Sequence, residues 1–371
     1  MCHVSAASTP TVGRTVDWTF AATVGTKLVR PAPPATEYTR RQAIEQLAES
    51  SRRAELPVRE VTLLNEGAAV AEARIVDRAE WVRAATESMR IMTGGTAGSS
   101  SGFLTGRVTG AQTGAVLAFV SSGILGQYDP FASGAGGTPA CGGERSDPGN
   151  QSGGGELLLV YPNVIAVERQ LRVSPADFRL WVCLHEVTHR VQFRANPWLA
   201  EHMSSALAVI TDDADQDVAE LVGRLAEFVR GRRNGVAAEP NSEGVLGFMR
   251  AIQSEPQRKA LDQLLVLGTL LEGHADHVMD AVGPAVVPSV ATIRQRFNER
   301  RQRKQPPLQR VIRALLGFDA KMNQYTRGKA FVDHVVTKVG MKEFNTVWTS
   351  PETLPLPTEV DDPQRWIDRV L

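Results

Sequence analysis

Residues 174–197 read Ser-Pro-Ala-Asp-Phe-Arg-Leu-Trp-Val-Cys-Leu-His-Glu-Val-Thr-His-Arg-Val-Gln-Phe-Arg-Ala-Asn-Pro, and the rest of the chain is best understood from them. Ser174 suits an N-cap, Pro175 the first helical turn and Asp177 the acid of a capping box. Asn196-Pro197 stops the helix. Inside it lies His185-Glu186-Val187-Thr188-His189, an HExxH pattern. Imidazoles at i and i+4 project from one helical face, close enough to share a metal ion. Neutral imidazole is a good zinc ligand, and catalytic zinc typically takes three protein ligands plus water. Glu186, beside the first histidine, is placed to take a proton from a zinc-activated water and pass it to a leaving group. Leu180, Trp181, Leu184, Val187, Val191 and Phe193 make the helix apolar on more than one side. Polar groups on so buried a helix need partners. The expectation is one zinc ion per chain. Cys183 reads as a small buried residue, and Thr188 and Gln192 as residues that can line the site.

The third ligand must come from elsewhere. Leu271-Glu272-Gly273-His274-Ala275-Asp276-His277 is the other helical cluster of ligand-type residues. At about 100° per residue, Glu272 and Asp276 lie within ~40° of each other, whereas His274 and His277 fall ~200° and ~140° from Glu272. One face therefore carries the carboxylates and another the imidazoles. In the preferred reading Glu272 closes the metal site. Asp276 then accepts a hydrogen bond from the far ring nitrogen of His185 or His189, fixing its tautomer. His274 or His277 as third ligand is the alternative.

Working outward, residues 1–37 show no sustained period and read as an N-terminal arm. Residues 38–131 read as a helical N-terminal region: Ala43, Ile44, Leu47 and Ala48 keep spacings of three and four, as do Trp81, Val82, Ala85 and Met89. A third helix is expected over Arg107 to Leu125. Residues 132–155 form a flexible, glycine-rich loop whose composition packs little. Residues 156–285 are expected to be the catalytic core. It opens with a β-branched strand over 156–167, which Pro162 argues into an edge position or a bulge. Its helices are expected at 175–195, 198–210, 214–232 and 242–253, with another from Pro256 to just before Gly283-Pro284. Residues 286–371 complete a helical C-terminal region. The fold class is α+β, predominantly α-helical.

Composition excludes several function classes. Lys+Arg and Asp+Glu number 41 each, so no bulk charge steers the chain toward nucleic acid or acidic lipid. The basic run Arg294 to Lys304 reads as a solvated helix face rather than a nucleic-acid site. The apolar fraction of 42% is that of a globular protein. Cys2, Cys141 and Cys183 are sparse and odd in number, which fits a reducing compartment. No signal-peptide pattern opens the sequence. The most lipid-like stretch, Gly114 to Leu125, is far shorter than the roughly 20 residues a membrane span needs. A cytoplasmic protein without a transmembrane segment is expected.

HExxH followed by ExxxD resembles the gluzincin branch of zinc peptidases, which implies Glu272 as third ligand and Asp276 behind the ligands. More closely, VTGAQTGAVLAFVSS, GQYDP, PADFRLWVCLHEVTHRVQF, LEGHADHVMDAVGP and VWTSPETLP are similar to stretches of a mostly actinobacterial family of zincin-like proteins described as zinc hydrolases. One subgroup of that family is associated by name with deazaflavin-coenzyme biosynthesis. The likeness runs from about residue 15 to the end and departs at the glycine loop 132–155. It implies a zincin-like metallopeptidase core with a small sheet and added helices. Such enzymes often use a further group to stabilise an oxyanion. By its place after the third ligand Tyr325 is the candidate, with His334 and Tyr128 as alternatives. The expected function is hydrolysis of a peptide or amide substrate. The rival is a non-catalytic, zinc-containing binding or assembly protein, but a structural zinc site would have no need of Glu186.

Overall fold

The computed structural model describes residues 16–95, 103–132, 155–210, 254–302 and 318–371, with the side chains of 103–105, 301–302 and 318–326 outside the description. The chain order is α1 (Trp18–Leu28), α2 (Glu37–Thr62), β1 (Ala73–Val76), α3 (Arg78–Met92), α4 (Phe103–Val120), β2 (Gly126–Asp129), β3 (Glu156–Val160), α5 (Tyr161–Leu171), α6 (Pro175–Ala195) and α7 (Trp198–Ile210). Then come α8 (Glu255–Val286), α9 (Val290–Gln302), α10 (Phe318–Val339), α11 (Met341–Phe344), α12 (Pro357–Asp361) and α13 (Pro363–Val370). The fold is α+β and mostly helical, with a small sheet. The helices expected at 214–232 and 242–253, and nearly all of the glycine loop, lie outside the described residues.

The sheet corrects the sequence reading in two ways. The strand ends at Val160, and Tyr161 already begins α5, with Pro162 in its first turn. Proline is tolerated there because that turn's N–H groups have no intrahelical acceptor. Nor is β3 an edge. It is the central strand of the order β1-β3-β2, parallel to β1 and antiparallel to β2. The apolar run Leu157-Leu158-Leu159-Val160 explains this, since both of its faces are buried. Leu157 and Leu159 join the core cluster containing Leu47, Ala54, Phe178 and Val187. Leu158 and Val160 join Val76, Trp81 and Leu117.

The first 37 residues are likewise not all a periodless arm: Trp18–Leu28 is a helix with Trp18, Ala21 and Gly25 buried. That spacing is helical, but two of the three residues are too small to register as a hydrophobic stripe. They are small because α4 lies against them. A Cβ placed on Gly110 would lie 2.6 Å from the Asp17 carbonyl oxygen, and one on Gly114 would collide with that of Ala21.

Helix α6 is held against α2 along one stripe. Arg179 donates to Gln46 Oε1 at 2.5 Å and, in a buried bidentate pair, to Glu168 at 3.0 and 2.7 Å. The buried Cys183 thiol reaches the Leu47 carbonyl at 3.7 Å, and burial pushes its pKa up. Arg190 pairs with Glu55, which also takes Arg59 at 2.5 Å. Ser174 caps the helix at a long 3.5 Å. The Asp177 carboxylate, expected from the sequence to complete a capping box, is instead engaged elsewhere. It accepts from the Ser289 amide at 3.0 Å and hydroxyl at 2.5 Å, ahead of α9.

Two compact units divide the chain: Met1–Thr11, Met203–His274 and Gln302–Leu371 form one, and Val12–His202 with Ala275–Arg301 the other. The second holds the sheet and α6, and Val278, Met279 and Val282 of α8 lie in its core. Gly283 (φ 67°) breaks the helical geometry of α8 where the sequence places its end. The basic run of α9 is not merely solvated. Arg296 donates to the Leu171 carbonyl at 3.0 Å, and Arg294 to that of Asp276 at 3.0 Å. In the first unit α10 crosses α8 closely: a Cβ on Gly273 would collide with the Gly328 backbone. His274 is fully buried there against the rings of Phe344 and Trp348, at centroid distances of 5.3 and 5.5 Å. No helix among the described residues is long and apolar enough to cross a membrane.

Candidate metal centre

The i, i+4 spacing puts His185 and His189 on one face of α6, about 200° and 240° around the axis from Cys183 and so away from the stripe held by α2. Their rings meet edge to face with centroids 4.8 Å apart, and the two Nε2 atoms lie 3.2 Å from each other. Glu272 brings a carboxylate oxygen to the same place: one ligand atom from each of His185, His189 and Glu272 lies within 4.8 Å of the other two. Among the described residues this is the one group of histidine, cysteine, aspartate or glutamate able to hold a metal ion. Of the alternatives to Glu272, His274 is packed between aromatic rings and His277 is in no such group.

The donor set fits zinc. Two nitrogens at about 2.0–2.1 Å from a tetrahedral ion subtend roughly 3.3–3.4 Å, and the imidazole pair stands at 3.2 Å. Two neutral nitrogens and one carboxylate oxygen also match the ligand types of catalytic rather than all-cysteine structural sites.

Glu186 is buried at 7% exposure. It is seated by the first residue of β2: a Cβ on Gly126 would lie 2.6 Å from its Cγ and 2.8 Å from its Cδ. Gly126 stands opposite Leu159 in the sheet, so the β2 edge covers this acid. The turn that delivers Gly126 is itself tied down. The Asn163 amide donates to the carbonyls of Ser121 at 2.7 Å and Ile124 at 2.5 Å, and its oxygen accepts from Arg78 at 2.7 Å. The sequence offers Gly126 within the GQYDP stretch, but nothing there links it to Glu186, 60 residues away.

His189 Nδ1 contacts Gln192 Oε1 at 2.9 Å. Asp276 lies 3.6 Å from the Arg294 guanidinium. Of the candidates for oxyanion stabilisation, Tyr128 is 9% exposed and packs on Phe193 with centroids 5.8 Å apart. Burial pushes its hydroxyl above the usual phenol range. It is a core aromatic. His334 is exposed. Tyr325 lies on α10, one turn before Gly328, with its side chain outside the described residues.

Residues 16–367 match the model of a family described as zincin-like metallopeptidase. The chain is also similar to a crystal structure from Chloroflexus aurantiacus described as "a putative hydrolase with a novel fold". The two are 27% identical with a TM-score of 0.61, over 95% of this chain and 98% of the other. No curated protein matches the sequence significantly.

Proposed function

The chain belongs to the zincin-like metallopeptidase family, and on that premise we propose that it is a zinc-dependent hydrolase cleaving a peptide or related amide bond. The convergence of His185, His189 and Glu272 on one point, with Glu186 seated beside them, carries this reading. His185, His189 and Glu272 would hold the ion. When bound, zinc supplies Lewis acidity that acidifies water and polarises a carbonyl.

The chain's own residues do the rest. Glu186 receives the proton of the attacking water and delivers it to the leaving amine. Its seat against Gly126 limits the positions its carboxylate can take, so little ordering remains for the reacting complex. β2, an edge strand of the sheet beside Glu186, presents backbone groups to an extended peptide, since edge strands accept added strands and central ones do not. Asp276 remains a candidate partner for His185, and Tyr325 for the oxyanion.

The test is metal analysis of the purified protein followed by a mixed peptide library. Stoichiometric zinc is expected, with turnover that falls about 10²–10⁴-fold in Glu186→Gln, the loss typical of a general base. Stoichiometric zinc with no turnover in either protein overturns the catalytic reading in favour of a binding role. Substoichiometric metal overturns the metal centre itself.

A further inference from the structure

The metal ligands pose a tautomer problem that the HExxH pattern does not solve. A neutral imidazole that binds through Nε2 must carry its hydrogen on Nδ1. Both Nε2 atoms point to the shared centre, 3.2 Å apart. In water the Nε2–H form of histidine competes, and a ring in that form has to shed or move its hydrogen before it can ligate. What lies at Nδ1 therefore decides whether the ligand is ready.

We propose that Gln192 is the positioning residue for His189, fixing its Nδ1–H tautomer so that Nε2 faces the ion as an acceptor. Gln192 is fully buried, and its Oε1 stands 2.9 Å from His189 Nδ1. An amide oxygen accepts and cannot donate, so this contact exists only when Nδ1 bears the hydrogen. The residue comes from the same helix, one turn on, where i and i+3 side chains are neighbours. Asn196 donates at 2.8 Å to the Gln192 carbonyl near the end of α6, holding the turn that carries it. Proteins that bind metal through histidine commonly give the far nitrogen to a carboxylate or a carbonyl. Here an amide does this work for His189, the role that the sequence reading had offered to Asp276. The inference rests on the metal-centre reading of the previous section.

Zinc itself is the probe. Its affinity is measured by competition with a chromophoric chelator for the wild type, Gln192→Leu and Gln192→Glu, with circular dichroism of each apo-protein. Gln192→Leu keeps the volume and loses the acceptor, so zinc binding should weaken about 10–100-fold. Gln192→Glu restores an acceptor and should bind within a few-fold of wild type or tighter. A packing role predicts the reverse order, because a buried carboxylate disturbs a core more than leucine does. Equal affinity of wild type and Gln192→Leu overturns the proposal, as does Gln192→Glu binding as weakly as Gln192→Leu. A wild type that binds no zinc overturns the metal centre and this inference with it. Should the leucine variant not fold, nitrogen-15 spectra of the wild-type histidines at pH 8 decide: His189 is expected as Nδ1–H, and an Nε2–H signal overturns the proposal.

Discussion

Gly126 and Glu186 touch with no room for a methyl group between them: a Cβ on the glycine would come within 2.6 Å of the glutamate Cγ. The contact joins the start of β2 to the middle of α6. It confines the proposed base through a residue that offers no chemistry of its own.

Gly126→Ala should therefore separate metal binding from turnover. Zinc affinity should stay within a few-fold of wild type, because neither histidine nor Glu272 is touched. Displacing the carboxylate by about an ångström should lower kcat on the order of 10²-fold. Parallel titration with zinc and kinetics on a peptide identified from the library would check this. Normal kcat in the alanine variant would show that the seat is not needed.

His189→Ala removes a ligand rather than its support. Its loss of zinc affinity should exceed the roughly 10–100-fold that an outer-shell substitution costs. Wild-type protein stripped with a chelator should regain both zinc and activity on adding the metal back, and His189→Ala should regain neither. Retention of tight zinc by the alanine variant would point to a different ligand set.

The Glu55 carboxylate answers two arginines, Arg59 and Arg190, at side-chain exposures of 10% and 2%. Glu55→Leu leaves both guanidinium groups buried without their acid. A destabilisation of about 3–5 kcal/mol is expected. Urea unfolding followed by tryptophan fluorescence measures it, and Trp181 on α6 is a suitable reporter. Adding Arg190→Met to Glu55→Leu should recover part of the loss, since an apolar pair tolerates burial better than a broken ionic one.

Glu359 links α12 to α13. Burial acts to raise its pKa, but hydrogen bonds from Arg369 and from the Leu356 amide outweigh it, and the carboxyl is held below the usual carboxylate range. A group with a depressed folded pKa stabilises the fold above its unfolded value, near 4.3, and that contribution fades as pH falls through the folded value. Glu359→Gln should lower stability at neutral pH and flatten the decline on acidification below about pH 4.5. An unchanged acid limb would show that the pair contributes nothing there.

What could be read early was what depends on neighbours in the chain. Helix α6 and its two histidines follow from a cap, a stop and an i, i+4 spacing. Likewise α7 and the end of α8 at Gly283 are local signals of proline and glycine. Helix α1 escaped because its buried face is largely Ala21 and Gly25, whose purpose is visible only once α4 lies against them. The run after Val160 looked like more strand because β-branched residues suit both states. What settled it was Pro162 in a first helical turn.

By itself, then, the sequence determined that His185 and His189 share one face of a buried helix with Glu186 beside them, because periodicity within a helix is set by the backbone. The tertiary structure brings a Glu272 carboxylate oxygen within 4.8 Å of ligand atoms of both histidines. It also decided that Gln192 stands at the far nitrogen of His189 and that a glycine on β2 seats Glu186. Those relations are set by the packing of distant segments, and contact energies between distant segments leave no period for a single strand of letters to display.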